Sequence, residues 1–275
     1  MKLEMKRIDS EYGELEYYSY VPSSQSPVNL YIHGLGYNKN WFHDHFARFE
    51  LDCYSWIVPD LLGHGNSSKP RNQKAYTMDK QAKYLEGILK REKVNRVRVI
   101  AHSMGGPIAI SLLELLKQPS SAMIEPTLLL YLEGNLDTGD AFFSSKVAEK
   151  SFEKYEKEFL PWTERVLRTT EETSMRSWVE ALRKAGSFTV WASSRDLVKV
   201  SKERNLLKRL QDAFEGPKYF IFGEKNKGMF SSEKLVRQND LPVLYVPKAG
   251  HGMHDDNPSA FWKTVLQIID ATSSI

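Results

Sequence analysis

A short apolar run that stops at a serine, residues 99–106 (VIAHSMGG), constrains this chain more than any other stretch. We interpret it as a strand, a tight turn with Ser103 at its apex, and the start of a helix. A serine hydroxyl is a weak nucleophile, so a catalytic serine must be held clear of the backbone and within reach of a base. Such a sharp turn requires small flanking residues, and Ala101 and Gly105 meet that requirement. The stretch alone also fits an ordinary loop after a buried strand, so the rest of the chain has to decide.

The composition indicates a globular protein and argues against a nucleic-acid partner and a membrane span. At 275 residues and 41% hydrophobic, the chain can form one large α/β domain or a domain with an insertion. The net charge of +3 comes from 38 basic and 35 acidic residues that are interspersed, so we expect no nucleic-acid partner. Cys53 is the only cysteine, and we expect it to be a buried thiol in a reducing compartment. No apolar run reaches the roughly 18 residues of a membrane span, so we expect a cytoplasmic protein.

Apolar runs that alternate with helical patterns predict a mostly parallel sheet with helices on both faces. Thr77 is a plausible cap for a helix that begins near Asp79. The helix over residues 106–117 is apolar nearly all round, which predicts burial against the sheet. A half-exposed strand is predicted at residues 14–21, and buried strands at 28–32, 55–58, 97–101, 126–132, 219–223 and 242–247, before a closing helix at 261–271.

The alternation stops between Asp137 and about Gly216, where the segments are rich in charged and aromatic residues. Helices are predicted there over residues 142–159, 164–169, 172–185 and 196–214. We therefore expect a core domain formed by residues 1–137 and 215–275, with residues 138–214 as a helical cap that folds over the sheet. A long helical surface region without contact to the site is the alternative.

Glycine turns and histidines follow the ends of the predicted strands. Residues 33–36 (HGLG) follow one strand, and glycine there lets the backbone approach a ligand and direct its amides inward. Residues 59–67 (PDLLGHGNS) follow the next strand, and Gly250-His251 precedes the last helix. His43 and His45 superficially resemble metal ligands, but two histidines separated by one residue diverge on a helix, so no metal site is predicted.

Four signals follow one another along the chain: residues 33–36, residues 59–67, the turn at Ser103, and Gly250-His251. In this order they resemble the α/β-hydrolase superfamily. The resemblance covers nearly all of the chain outside the predicted insertion. It implies an α/β-hydrolase fold with a helical cap, and a serine hydrolase that needs no cofactor. By position, it implies that Ser103 is the nucleophile and His251 the base, and that the backbone amides of Leu35 and Met104 form the oxyanion hole.

The acid of the expected triad departs from the commonest pattern. Many relatives carry aspartate a few residues after the glycine equivalent to Gly223, but this chain has Asn226 there. A second arrangement, known in some haloalkane dehalogenases of the superfamily, takes the acid from the end of the preceding strand. That position holds Glu133, which we predict as the acid; the alternatives are Glu224, Asp137 and Asp140.

The nucleophile indicates the reaction class. Dehalogenases and epoxide hydrolases of this fold use aspartate at the elbow, whereas Ser103 would form an acyl-enzyme. The predicted reaction is hydrolysis of a carboxylic ester, thioester or lactone of a small apolar molecule. Lyase, carbon–carbon hydrolase or perhydrolase chemistry and a catalytically silent binding protein are the alternatives.

Aromatic residues of the insertion are candidates for the pocket, although each is an equally good candidate for the core of the cap. His102 is expected to be structural or to line the pocket, and His254 to be a neighbour at the surface. The predicted pocket residues are Gly34, Trp41, His102, Phe142, Trp178 and Trp191.

Overall fold

The computed structural model describes residues 2–23, 26–203 and 205–272. The helix predicted over residues 196–214 includes residue 204, which lies outside the described residues. Within those residues, eight strands form one sheet in the order β1-β2-β4-β3-β5-β6-β7-β8. The strands are β1 Glu4–Ser10, β2 Gly13–Tyr20, β3 Val28–Ile32, β4 Ser55–Pro59, β5 Arg96–His102, β6 Glu125–Leu132, β7 Lys218–Gly223 and β8 Val243–Val246.

The sheet is mostly parallel, as predicted. β2 runs antiparallel to both of its neighbours, β1 and β4, and the remaining pairs are parallel. The carboxyl ends of β3 to β8 therefore meet at one edge, which is where ligands bind in open α/β sheets. β1 is a strand that the sequence analysis did not predict.

Helices cover both faces of the sheet. They are α1 Asn40–Arg48, α2 Met78–Arg91, α3 Gly105–Leu116, α4 Phe142–Ala148, α5 Phe152–Lys154, α6 Leu160–Arg168, α7 Thr173–Lys184, α8 Ser187–Lys202, α9 Leu206–Ala213, α10 Ser231–Gln238, α11 Met253–Asp256 and α12 Pro258–Ala271, with a π-helical turn, Tyr155–Phe159, between α5 and α6. Thr77 caps α2 by accepting the N–H of Lys80 at 3.2 Å, as predicted. None of the helices in the described part of the chain has the length and apolarity needed to cross a membrane.

The alternation of side chains along β5 shows how the two faces are filled. Val97, Val99 and Ala101 belong to the core cluster shared with α2 and α3, whereas Ile100 belongs to the cluster shared with α1 and α12. All four are fully buried. A strand buried on both faces reads as a continuous apolar run, which is why the sequence predicted it.

The segment between β6 and β7 is helical in its described residues, from α4 to α9. α4 packs on α8 and α6 packs on α7. α9 packs instead on α3, where Arg209 forms an ion pair with Glu114 at 2.7 Å. The end of the predicted cap segment therefore lies against a helix of the predicted core, and the division at residues 138–214 stays a prediction.

Candidate active site

The predicted nucleophile lies in a strained turn between β5 and α3. Ser103 has a φ of 54°, in the left-handed region that residues other than glycine rarely adopt. Its N–H donates to the carbonyl of Leu132 at the end of β6, at 2.9 Å. A Cβ on Gly105 would lie 2.4 Å from the carbonyl oxygen of Ile32, so only glycine fits where α3 passes β3. The structure confirms the strand, turn and helix predicted for residues 99–106.

The predicted acid, Glu133, lies directly after β6 and beside the predicted base. Its Oε2 is 2.6 Å from Nδ1 of His251, and its Oε1 accepts the N–H of Gly223 at 2.7 Å. The side-chain amide of Asn226 donates to both oxygens, at 3.1 and 3.0 Å. The carboxylate is fully buried, and burial of such a group is costly unless hydrogen bonds satisfy it. The structure thus brings Glu133 and His251 together, with Asn226 as a third member.

The backbone at Glu133 is strained as well. Its φ is 42°, and its N–H donates to the carbonyl of Ile221 on β7 at 3.0 Å. Ser103 and Glu133 therefore occupy equivalent positions, each left-handed and each tied to the next strand by one backbone hydrogen bond. Strain of this kind is concentrated at functional sites in proteins.

The three alternative acids lie elsewhere and use their oxygens on other groups. Glu224 is exposed and accepts the N–H of Lys248 at 2.9 Å. Asp137 accepts the N–H of Gly139 at 2.7 Å. Asp140 accepts backbone N–H groups, and its burial raises its pKa. In the described part of the chain, Glu133 is the carboxylate that contacts His251.

His251 lies in the loop between β8 and α11 and is held between two rings. The ring of Phe230 stacks on it with a centroid distance of 5.9 Å, and the ring of His102 lies 4.7 Å away. Nε2 of His102 is 2.9 Å from the carbonyl oxygen of His251, which can only accept, so Nε2 is the donor. Burial lowers the pKa of His102 well below its ordinary value, so this ring stays neutral. His102 therefore holds the backbone of the predicted base.

The predicted oxyanion-hole residues flank the serine turn. A Cβ on Gly34 would come within 2.9 Å of Cβ of Ser103, so the glycine turn after β3 lies against the nucleophile. Among the described residues, the backbone N–H groups of Leu35 and Met104 find no hydrogen-bond acceptor. Leu35 lines the cavity beside Ser103, whereas Met104 is fully buried. Nε1 of Trp178, on α7, donates to the carbonyl oxygen of Leu35 at 2.7 Å. A helix of the predicted cap therefore fixes this turn.

A buried histidine ties the same turn to the loop after β4. Nε2 of His33 accepts the N–H of Leu61 at 3.0 Å, and Nδ1 lies 2.8 Å from the carbonyl oxygen of Gly34. Burial lowers the pKa of His33 to about 4, so at neutral pH Nδ1 donates and Nε2 accepts. Asp60 in that loop is bonded to the buried ammonium of Lys39 at 2.8 Å. The two loops are thus held in a fixed relation beside the serine.

A cavity of about 470 Å³ opens beside Ser103 and His251. Among the described residues that line it, Lys146 is the only cation and Asp140 the only acid. The remaining lining is largely aromatic and aliphatic, which suits an apolar ligand. These residues include Leu35, Phe142, Phe143, Phe159, Trp162, Val166, Trp178, Met229 and Phe230.

Comparison with known proteins identifies the family. The sequence profile described as the alpha/beta hydrolase family matches residues 30–264, which is most of the chain. The chain belongs to the alpha/beta hydrolase family. The eight-stranded order and the position of the elbow in this family member agree with that assignment.

Relatives of this alpha/beta hydrolase family member include enzymes of different named activities. It is 36% identical over 112 residues to Lipase 3 of Moraxella sp., covering 40% of this chain and 34% of the lipase. It is 27% identical over 250 residues to the putative 2-succinyl-6-hydroxy-2,4-cyclohexadiene-1-carboxylate synthase of Bacillus subtilis, covering 86% and 88% of the two chains. The chain spans about a third or less of the length of the first curated relatives that it matches.

Among solved structures, a carboxylesterase from Nitrososphaera gargenis is similar, with a TM-score of 0.76, 15% identity, and coverage of 98% of this chain and 99% of the other. At that identity the likeness shows the shared fold.

Two of the six predicted pocket residues, Phe142 and Trp178, line the cavity of this alpha/beta hydrolase family member, and the other four do not. Gly34 packs against Ser103, and His102 packs against His251. Trp41 lines a separate depression beside α1 and α7. Trp191 packs among the helices between β6 and β7 and donates Nε1–H to the carbonyl of Lys150 at 2.9 Å. Aromatic character alone does not show which face of a helix meets the cavity, and this is why the prediction failed for the two tryptophans.

Two further expectations are corrected. His254 was predicted to lie at the surface but is 2% exposed, with its ring 4.3 Å from that of Trp41. Cys53 was predicted to be buried but is exposed, because it lies at the end of a short 3₁₀ turn, Leu51–Cys53. The donor role of Asn226 was also missed, although its place in the sequence, where relatives carry the acid, was a usable signal.

Proposed function

We propose that this chain is a serine hydrolase that cleaves a carboxylic ester, thioester or lactone with an apolar acyl group, through an acyl-enzyme on Ser103. The observation that carries the proposal is the bond between the buried carboxylate of Glu133 and Nδ1 of His251, in a histidine that shares one apolar cavity with Ser103. A carboxylate at Nδ1 fixes the histidine tautomer whose Nε2 is free to accept a proton.

The proposed mechanism uses each group at a stated atom. Oγ of Ser103 attacks the substrate carbonyl while Nε2 of His251 takes its proton, and Glu133 stabilises the resulting imidazolium. The N–H groups of Leu35 and Met104 donate to the oxyanion, and one such donor is worth about 3 kcal/mol in comparable enzymes. His251 then returns the proton to the leaving group. Water next attacks the acyl-enzyme by the same path, which frees the acid and restores the serine.

The lining of the cavity supports an apolar acyl group over a polyanionic substrate. The name of the Bacillus subtilis relative specifies a succinyl group and a carboxylate, and a site that neutralises more than one carboxylate would need more than one cation. Lys146 is the one cation among the described lining residues here.

A fluorophosphonate probe tests the proposal directly. We expect rapid labelling of the purified chain, with mass spectrometry locating the modified peptide at Ser103. Ser103→Ala should abolish labelling. Ser144→Ala is the matched control, because Ser144 is a second serine that lines the same cavity, and it should label normally.

Two results would contradict the proposal. Labelling that persists in Ser103→Ala would place the reactive group elsewhere. A folded protein that does not label would favour a silent binding protein. If labelling succeeds, 4-nitrophenyl esters and lactones of graded acyl length then define the substrate.

A further inference from the structure

Large apolar side chains that are exposed to solvent are concentrated at the opening of the cavity. Six such side chains occur among the described residues, and two of them, Met5 and Met123, lie apart from the cavity. The other four line the cavity while exposed, which places them at its opening, and we call them the apolar rim: Phe142 (54% exposed), Trp162 (47%), Val166 (42%) and Met229 (65%).

The apolar rim is contributed by three separate segments. Phe142 begins α4, Trp162 and Val166 lie one turn apart on α6, and Met229 precedes α10. The rim is also held in place, since Trp162 stacks on Phe159 with a centroid distance of 5.6 Å. Single exposed apolar residues are common on proteins, but a group of them around one opening marks a surface that meets an apolar partner.

Cationic side chains accompany the rim on both of its helices. Lys146 lies one turn after the start of α4 and lines the cavity, and Arg165 is exposed on α6 between the two rim residues of that helix. The neighbouring acid, Glu164, forms an ion pair with Arg183 of α7 at 3.3 Å. Glu158 is an exposed acid one turn before Trp162. The cations give the rim an attraction for negatively charged headgroups.

We propose that the apolar rim docks this chain on an anionic lipid surface, from which an ester substrate passes into the cavity. Substrate entry from the surface rests on the proposed function, whereas the docking does not. The charges favour an anionic lipid surface over a second copy of the chain, because the exposed cations Lys146 and Arg165 beside the rim would meet the same cations on a second copy. A single acyl chain would not cover side chains that come from three segments.

Vesicle flotation tests the docking, with Ser103→Ala as the parent so that no turnover occurs. We expect the parent to float with vesicles of phosphatidylcholine and phosphatidylglycerol, and more weakly with phosphatidylcholine alone. On this background Trp162→Ser should lower partitioning by about tenfold, since binding scales with the apolar area that is buried. Arg165→Gln should weaken binding to the anionic vesicles only.

A matched pair of variants separates the rim from general surface apolarity. Met229→Ser changes the rim, and Met123→Ser makes the same change before β6, at the edge of the sheet opposite the site. We expect a loss of partitioning in Met229→Ser only. If Trp162→Ser does not fold, as judged by circular dichroism, this pair still decides the question.

Several results would overturn the docking proposal. These are a parent that floats with neither vesicle, a Met229→Ser variant that floats as well as Met123→Ser, and light scattering that shows a dimer lost in the rim variants. If docking fails while Ser103 still labels with fluorophosphonate, the proposed hydrolase function stands. If docking succeeds and labelling fails, the hydrolase function falls and the docking stands.

Discussion

Replacing Glu133 by glutamine tests the site most sharply, because the structure specifies what the amide would face. The carboxylate now receives N–H groups from three sides: from Gly223 at 2.7 Å, from Asn226 at 3.0 and 3.1 Å, and from Nδ1 of His251 at 2.6 Å. A glutamine side chain has one accepting oxygen and one donating NH₂ group. It cannot satisfy all three donors in either orientation.

Each orientation of the glutamine amide impairs the proposed role of His251 in a different way. If the amide oxygen faces His251, the NH₂ group meets the N–H of Gly223, and a buried donor left unpaired costs about 1–3 kcal/mol. If the oxygen faces Gly223, the NH₂ group donates to Nδ1 of His251, and the ring proton moves to Nε2, where it blocks proton transfer from Ser103. Both orientations remove the charge that stabilises the imidazolium. We expect kcat to fall about 10³- to 10⁴-fold, which corresponds to roughly 4–5.5 kcal/mol.

The assay is hydrolysis of a short-chain 4-nitrophenyl ester, together with the rate of fluorophosphonate labelling and a thermal unfolding curve. Glu224→Gln is the matched control because Glu224 is an exposed glutamate in the loop after β7, and it should leave kcat unchanged. A folded Glu133→Gln variant whose kcat lies within tenfold of the parent would refute the reasoning. So would an equal loss in Glu224→Gln.

Substitutions at four more residues test the structure. Gly34→Ala should lower kcat about 10²-fold or more, because its Cβ would lie 2.9 Å from that of the nucleophile; Gly87→Ala, in open space on α2, should keep kcat and raise stability by up to about 1 kcal/mol, and equal kcat values in the two variants would contradict us. Trp178→Phe removes the N–H that fixes the oxyanion turn and should lower kcat about tenfold with KM little changed, whereas a change in KM alone would indicate only a lining role. Asn226→Asp places a second carboxyl about 3 Å from the carboxylate of Glu133, where one of the two must hold a proton, so the kcat/KM profile should gain a pH dependence that the parent lacks; identical profiles argue against this placement. Burial raises the pKa of Asp255 from 3.8 to about 7; the folded state then binds the proton more tightly, so stability is lost as pH rises from about 4 to 7, by at most about 4 kcal/mol, and urea unfolding should show Asp255→Asn more stable than the parent above pH 7 and equal near pH 4.

The sheet was predictable where its strands are buried on both faces, and less so at its edge. β3, β5 and β6 are apolar runs bounded by turns, so their positions follow from composition alone. β1 consists mostly of charged and polar residues at an exposed edge and pairs only with β2, which makes it indistinguishable from a surface segment in the sequence. Strand order depends on pairings between distant segments, and periodicity does not contain that information.

The segment between β6 and β7 was correctly predicted to be helical, but the ends of its helices were not all predicted. α8 begins at Ser187, although the sequence suggested a helix from residue 196. Its first half contains serines that are poor helix formers in isolation, yet Ser193 and Ser194 are fully buried. Small residues let α8 pack closely on α4, so tertiary contacts rather than local propensity form this part of the helix.

The predicted acid shows why Glu133 and Asn226 have to be interpreted together and not one at a time. The buried carboxylate of Glu133, which follows β6, lies between the ends of β6 and β7. The side-chain amide of Asn226, which follows β7, donates to it. In the proposed triad the negative charge lies beside Nδ1 of His251, and either strand end could supply it. Once the residue after β6 supplies the carboxylate, the residue in the turn after β7 has to donate, because two carboxylates about 3 Å apart cannot both stay ionised. Glutamate at one position and an amide at the other satisfy that condition, and the asparagine that alone suggests a lost acid is the partner that a relocated acid requires.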